Sequence, residues 1–279
     1  MIRLVTVATH IEGYLPWLKQ SCDRFNVKLI ILGFNQEWLG FSWRFKLMID
    51  YLKTIDPNDL VIFIDAYDVM LLRPLDEIEI YFNNIIKITN TKIIISEDLN
   101  INSSSEINAK IFFGTCKNVR ICAGLYMGRS IDILNIISII YQNIQNKDDD
   151  QILFTSYCNK YPENIYIDTD NIFFLSRSNQ LKNILEDKNI KINNNILTYM
   201  NSQPFFIHGN ANTHMHDVIL KLGYNILNNE IEDISYKYKK IQDKKNVYYF
   251  NLCLKKFYYV ILIILLIILL IIIIIRQYI

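Results

Sequence analysis

Glycine and proline are scarce, with 8 and 5 in 279 residues. So few glycines leave no Gly-rich loop to cradle a phosphate with backbone N–H groups, and no collagenous repeat. An excess of either charge is missing too. Lys plus Arg number 29 against 28 acidic residues, a formal net charge of +1. Without a basic field, nucleic acid is not an expected partner. The five cysteines (Cys22, Cys116, Cys122, Cys158, Cys253) are scattered and form no C-x-x-C pair. That argues against a zinc site or a disulfide framework and for buried free thiols. A chain with 51% hydrophobic and 20% charged residues is not disordered, and its length suffices for one large α/β domain or two small ones.

One long hydrophobic run is present. From Phe257 to Ile275 there is no charge and nearly every residue is Ile, Leu or Tyr. As a helix the run would span ~28 Å, close to a bilayer core of about 30 Å. The expected organisation is therefore a domain over 1–230, a polar and basic linker over 231–256, and a transmembrane helix over 257–275. Lys244, Lys245, Lys255 and Lys256 precede the run and only Arg276 follows it. The positive-inside rule then keeps the domain cytosolic, as in a single-pass tail-anchored protein. The alternative is a lumenal domain. Ile2–Ala8 reads as a buried strand, too short and β-branched for the apolar region of a signal peptide.

Strand-like and helix-like segments alternate along the rest. Val27–Leu32, Leu60–Ile64, Lys92–Ser96, Leu125–Gly128, Ile165–Ile167, Ile172–Leu175 and Phe205–His208 read as strands. Trp43–Ile55, Asp76–Ile88, Ile131–Ile144, a segment from Asp149 and another from Thr213 read as helices. Residues 97–118 read as polar loop carrying the sequon Asn102-Ser103-Ser104, and 176–201 as loop with a short helix. Such alternation predicts a mostly parallel, Rossmann-like sheet with helices on both faces. Ligands of such sheets bind beyond the carboxyl ends of the strands.

Three features lie at such ends. In Leu60-Val61-Ile62-Phe63-Ile64-Asp65-Ala66-Tyr67-Asp68 an apolar strand runs into two carboxylates three residues apart. In a tight turn they can converge on a hard cation, Mn²⁺ or Mg²⁺, which neutralises a diphosphate leaving group. Equally, Asp65 can cap the next element and Asp68 can sit solvated in the turn. In Phe205-Phe206-Ile207-His208-Gly209-Asn210 a histidine ends an apolar run, either as a third ligand or as a structural residue. Asp148-Asp149-Asp150-Gln151 can start a helix or meet a sugar and its acceptor.

These residues, in this order, resemble the glycosyltransferase domain of the collagen lysyl hydroxylases over about residues 2–225. Val5-Thr6-Val7-Ala8-Thr9, Glu12-Gly13-Tyr14-Leu15, Glu37-Trp38-x-Gly40, Asp65-Ala66-Tyr67-Asp68-Val69, the Asp-Asp-Asp-Gln run and His208-Gly209-Asn210 all fall in register. The resemblance implies a GT-A-like fold, a UDP-sugar donor (UDP-glucose or UDP-galactose), Mn²⁺ and a hydroxyl-bearing glycan or protein acceptor. It implies Asp65, Asp68 and His208 as metal ligands and Tyr67 stacked on the uracil. Val7 and Thr9 would line the nucleoside pocket. Arg44 would face the diphosphate, with Lys46 as the fallback, and Asp149 and Asp150 would face the transferred sugar and acceptor. Two departures stand out. Cys122-Ala123-Gly124-Leu125 replaces the family's Asn-Ser-Gly-Gly, and His214 replaces a lysine as a pH-dependent charge near the nucleotide. They open an alternative, a degenerate membrane protein that binds a sugar or protein partner without turnover. The collagen enzymes also carry a hydroxylase domain, so collagen-like galactosylhydroxylysine is only one acceptor among several.

Overall fold

The computed structural model describes residues 1–144, 149–244 and 262–268. They fall into two compact units, Met1–Ile234 and Ser235–Ile279. In the second unit the described residues 235–244 and 262–268 are helical. Most of the apolar run 257–275 lies outside the described residues. Among the described residues, no helix is long and apolar enough to cross a membrane.

The first unit is a mixed α/β layer structure. In chain order it holds β1 (Ile2–Val7), α1 (Leu15–Arg24), β2 (Leu29–Leu32), α2 (Phe41–Leu52), β3 (Leu60–Ile64), β4 (Val69–Leu71), α3 (Ile78–Thr89), β5 (Ile93–Asn100) and α4 (Ser103–Phe113). There follow β6 (Ile121–Arg129), α5 (Ser130–Gln142), α6 (Asp150–Lys160), β7 (Ile165–Asp168), β8 (Phe174–Ser178), β9 (Ile190–Asn193), β10 (Ile196–Tyr199), β11 (Phe206–Asn210) and α7 (His216–Lys221). The main sheet runs β2-β1-β3-β6-β5-β8-β11-β4, with β7 paired to β5. Parallel pairings join β1 to β2 and β3, β5 to β7 and β8, and β8 to β11. The main sheet is mostly parallel, as expected; the exceptions are β6, antiparallel to both β3 and β5, and β4, antiparallel to β11.

Both faces of the sheet are buried, which explains why its strands read as unbroken apolar runs. Along β1 and β3, Val5, Val7, Val61 and Phe63 pack against Phe45, Met48 and Ile49 of α2, Ile133 and Ile137 of α5 and Phe154 of α6. The alternate residues Leu4, Leu60, Ile62 and Ile64 pack against Leu15 and Leu18 of α1 and Ile78 and Phe82 of α3.

The position of β4 forces the sheet to curl. Five strand spacings separate β3 from β4 in the sheet order, about 24 Å if the sheet were flat. The short link from Ile64 to Val69 reaches at most ~18 Å. Curling brings the end of β3 toward β11, and the metal-ligand candidates lie there.

One expectation about cysteine is overturned. Cys116, just before β6, and Cys158, on α6, form a disulfide. The two lie 42 residues apart, so no local spacing announces the pair; only the packing of α6 beside β6 brings them together. Cys22 and Cys122 are buried free thiols, as expected.

Candidate metal and donor site

Asp65 follows the last residue of β3, and its N–H donates to the carbonyl of Gly124 on β6 at 2.8 Å. Gly124 has to be glycine, because a Cβ there would stand 2.2 Å from Asp65 Oδ2. Three residues on, Asp68 is carried to β11 by the β4 pairing, with His208 opposite Val69. Gly209 N–H donates to Asp68 O at 2.9 Å and fixes the turn. One ligand atom each from Asp65, Asp68 and His208 lies within 4.8 Å of the other two. Neither carboxylate is fully buried, whereas His208 is only 1% exposed.

The donor chemistry of this trio fits a hard divalent cation. His208 Nε2 is 3.2 Å from Asp68 Oδ1, yet this buried nitrogen makes no hydrogen bond. A buried nitrogen without a hydrogen bond, beside two carboxylates, is the signature of a ligand position. Burial alone would depress the imidazole; the Asp68 carboxylate and the Cys122 thiol outweigh it and hold His208 well above its usual pKa. On the other side of the ring, Nδ1 meets Ser176 Oγ at 3.2 Å and Cys122 Sγ at 3.4 Å.

Arg44 reaches the edge of the trio. It is 6% exposed. It donates to Asp65 Oδ1 at 3.0 Å and to the Asp150 carboxylate, bridging α2, the end of β3 and the start of α6. Its guanidinium also lies over the ring of Phe63. Burial alone would weaken its charge, but Asp150 and Asp65 more than compensate and its pKa rises. Burial pushes the Asp65 and Asp150 carboxyls upward, against the opposing pull of Arg44. Lys46 is exposed and pairs with Asp50, away from this cluster.

Asp149 caps α6, accepting from Gln151 N–H at 2.9 Å, as acids at a helix start do. Asp150 is committed to Arg44. Gln151 Oε1 accepts from Ala123 N–H at 2.9 Å and ties the start of α6 to β6. The sequence shows Gln151 as the end of the acidic run and does not assign it a role.

At the end of β1, Thr9 N–H donates to the Tyr67 hydroxyl at 3.1 Å. Val7 is buried in the same strand. Tyr67 is half-buried, and its carbonyl accepts from Tyr14 N–H at 2.7 Å. That approach needs Gly13, at φ +53°, where a Cβ would meet the Tyr67 carbonyl at 2.5 Å. Thr9 and Tyr67 are thus brought together next to Asp68 in the chain, whereas Val7 packs into the core with Phe45 and Met48 of α2. His10, which the sequence did not offer as a site residue, stands 5.9 Å from the Tyr67 ring. His214 lies between β11 and α7, its N–H donating to Lys182 O at 2.8 Å. Burial and the neighbouring His216 lower its pKa and disfavour its charged form.

A family model described as the PLOD GT domain matches residues 1–241. The multifunctional procollagen lysine hydroxylase and glycosyltransferase of Caenorhabditis elegans is 23% identical over 237 residues, covering 76% of this chain and 31% of that protein. The chain thus spans about a third of that relative's length. A solved glycosyltransferase involved in glycosylation of the major capsid of PBCV-1 covers 60% of this chain and 81% of its own. It has 12% identity and a TM-score of 0.39, too remote a likeness to bear on function.

Proposed function

The chain belongs to the PLOD GT domain family, and on that premise we propose that it is a metal-dependent glycosyltransferase. It moves a hexose, glucose or galactose, from a UDP-sugar to a hydroxyl on a glycan or protein. The observation that carries the reading is the Asp65, Asp68 and His208 trio with its buried, hydrogen-bond-free Nε2. These residues would hold Mn²⁺ or Mg²⁺, which when bound neutralises charge on the diphosphate leaving group. Tyr67, steadied by Thr9 N–H, offers the base a flat face at the end of β1. Arg44 and Asp150 hold the start of α6, with Asp149 and Gln151, to the end of β3 where Asp65 lies. Galactosylhydroxylysine of a collagen-like chain is one acceptor that suits this chemistry.

The test is release of UDP from UDP-glucose or UDP-galactose by the intact chain, with and without Mn²⁺. Metal-dependent release that Asp68→Asn abolishes, with melting unchanged, supports the reading. Unchanged turnover in that variant refutes the site. The second reading, a binder without turnover, is favoured by Cys122 where the family has an amide. It predicts no UDP release, and no Mn²⁺-dependent stabilisation by UDP if the nucleotide site has decayed. An intact site at 100 times Kd stabilises by ~2.7 kcal/mol.

The disulfide bears on the compartment. Disulfides persist in oxidising compartments and are rare in the cytosol. The Lys bias before residue 257 argues for the cytosol, but large domains translocate largely regardless of charge. We therefore propose the lumenal or exoplasmic alternative for the domain.

A further inference from the structure

Asp98 has no place in the reading above, yet it is completely buried and accepts four hydrogen bonds. Ser176 Oγ and Ser178 Oγ each donate to its Oδ1 at 3.2 Å, Asn210 Nδ2 donates to Oδ2 at 2.8 Å, and Arg120 also donates to Oδ2. Register explains the convergence. Asp98 on β5 pairs with Ser176 on β8, and Ser176 pairs with His208 on β11. All three side chains therefore stand on one face of the sheet.

The direction of each bond in this row follows from valence. An ionised carboxylate only accepts, so the single hydroxyl hydrogen of Ser176 points to Asp98. The Ser176 oxygen, 3.2 Å from His208 Nδ1, can then only accept. The Nδ1 atom of His208 must carry the hydrogen, and its Nε2 is the atom that turns toward Asp65 and Asp68. Cys122 Sγ, at 3.4 Å from the same Nδ1, is a weak acceptor and does not oppose this arrangement.

We propose that Asp98 and Ser176 are positioning residues of the metal site, which fix the tautomer and ring orientation of His208 so that Nε2 faces a divalent cation. Partners of this kind change metal affinity by 10- to 100-fold in other sites. The inference rests on the metal reading of Asp65, Asp68 and His208. Its particular content is that a serine and an aspartate at the far side of the ring set the affinity.

Ser178 supplies a matched control. It is buried, lies on the same strand and donates to the same Asp98 oxygen at the same distance, but no hydrogen bond joins it to His208. Mn²⁺ would be titrated by electron paramagnetic resonance into the metal-free wild type, Ser176→Ala and Ser178→Ala, with a thermal melt of each. The expected result is about tenfold or more weaker Mn²⁺ binding in Ser176→Ala alone, with similar melting losses in both variants. Wild-type binding with equal Mn²⁺ affinity in the two variants overturns the positioning role and leaves the metal reading intact. A wild type that binds no Mn²⁺ overturns both.

Discussion

The Cys116–Cys158 disulfide closes a loop with a sequence separation of 42. Chain entropy for a loop of that size predicts a stabilisation of roughly 4 kcal/mol at 25 °C. For a domain of about this size, 1 kcal/mol moves the melting temperature by roughly 2–4 °C, so reduction should lower it by about 8–16 °C. The two sulfurs sit in the core beneath α6, and Asn159 Nδ2 donates to Thr115 O at 2.9 Å beside them. The bond thus pins the helix whose first turn carries Asp150 and Gln151. The assay is a thermal melt of protein produced in an oxidising compartment, before and after reduction, with free thiols counted under denaturing conditions. Reduction should expose two further thiols and lower melting by the stated amount. The Cys116→Ala/Cys158→Ala double variant should melt low in both conditions. An unchanged thiol count on reduction would refute the bond and with it the compartment argument. A changed count without a melting shift would refute the loop-entropy estimate.

Three further outcomes are expected. Gly124→Ala sets a Cβ 2.2 Å from Asp65 Oδ2, so Mn²⁺ affinity should fall about tenfold or more while circular dichroism is unchanged; wild-type affinity would show that Asp65 is not a ligand. Arg44→Met leaves Asp150 buried without its counter-ion and should cost about 3 kcal/mol in urea denaturation, the low end of the range because Asp65 is partly exposed. Arg44→Met/Asp150→Leu should recover part of that loss, and wild-type stability in the single variant would deny the brace. Asn102 is exposed at the start of α4 within an N-x-S sequon. Expression in a eukaryotic host should therefore give an endoglycosidase-sensitive band that Asn102→Gln abolishes, and an unmodified Asn102 would count against the lumenal placement.

Segments became legible in sequence where an apolar run had charged ends. β3 is found at Leu60–Ile64 as expected, because Asp59 and Asp65 bracket five buried residues. α6 begins where Asp149 caps it. α4 stands where the sequence predicts polar loop, because it buries none of its residues and so carries no apolar stripe; only its Asn102 cap signals a helix. The β9–β10 hairpin also stands in a predicted loop. Its turn is Asn194-Asn195, both at positive φ, a pairing that the type I′ turn favours and that composition bias toward Asn concealed. Asp65, Asp68 and His208 were legible because each lies at the end of an apolar run. Asp98, Ser176 and the Cys116–Cys158 pair were not, because their meaning depends on which strands and helices become neighbours.

Arg44 shows how packing gives a charge partners that sequence order does not reveal. Its position invites a phosphate contact, but its guanidinium lies between Asp65 and Asp150 with 6% of its surface exposed. His208 Nε2 stands 3.2 Å from Asp68 Oδ1 without a hydrogen bond. Asp65, Asp68 and Asp150 therefore bring three carboxylates to a site in which Arg44 is held between two of them. Such a site repels an unaccompanied diphosphate and attracts a dication. On this reasoning the chain's own residues prepare the site for a cation and leave neutralisation of the nucleotide to it. Stabilisation by UDP should then depend on the metal being present, and the Arg44 brace serves to keep Asp65 at the trio.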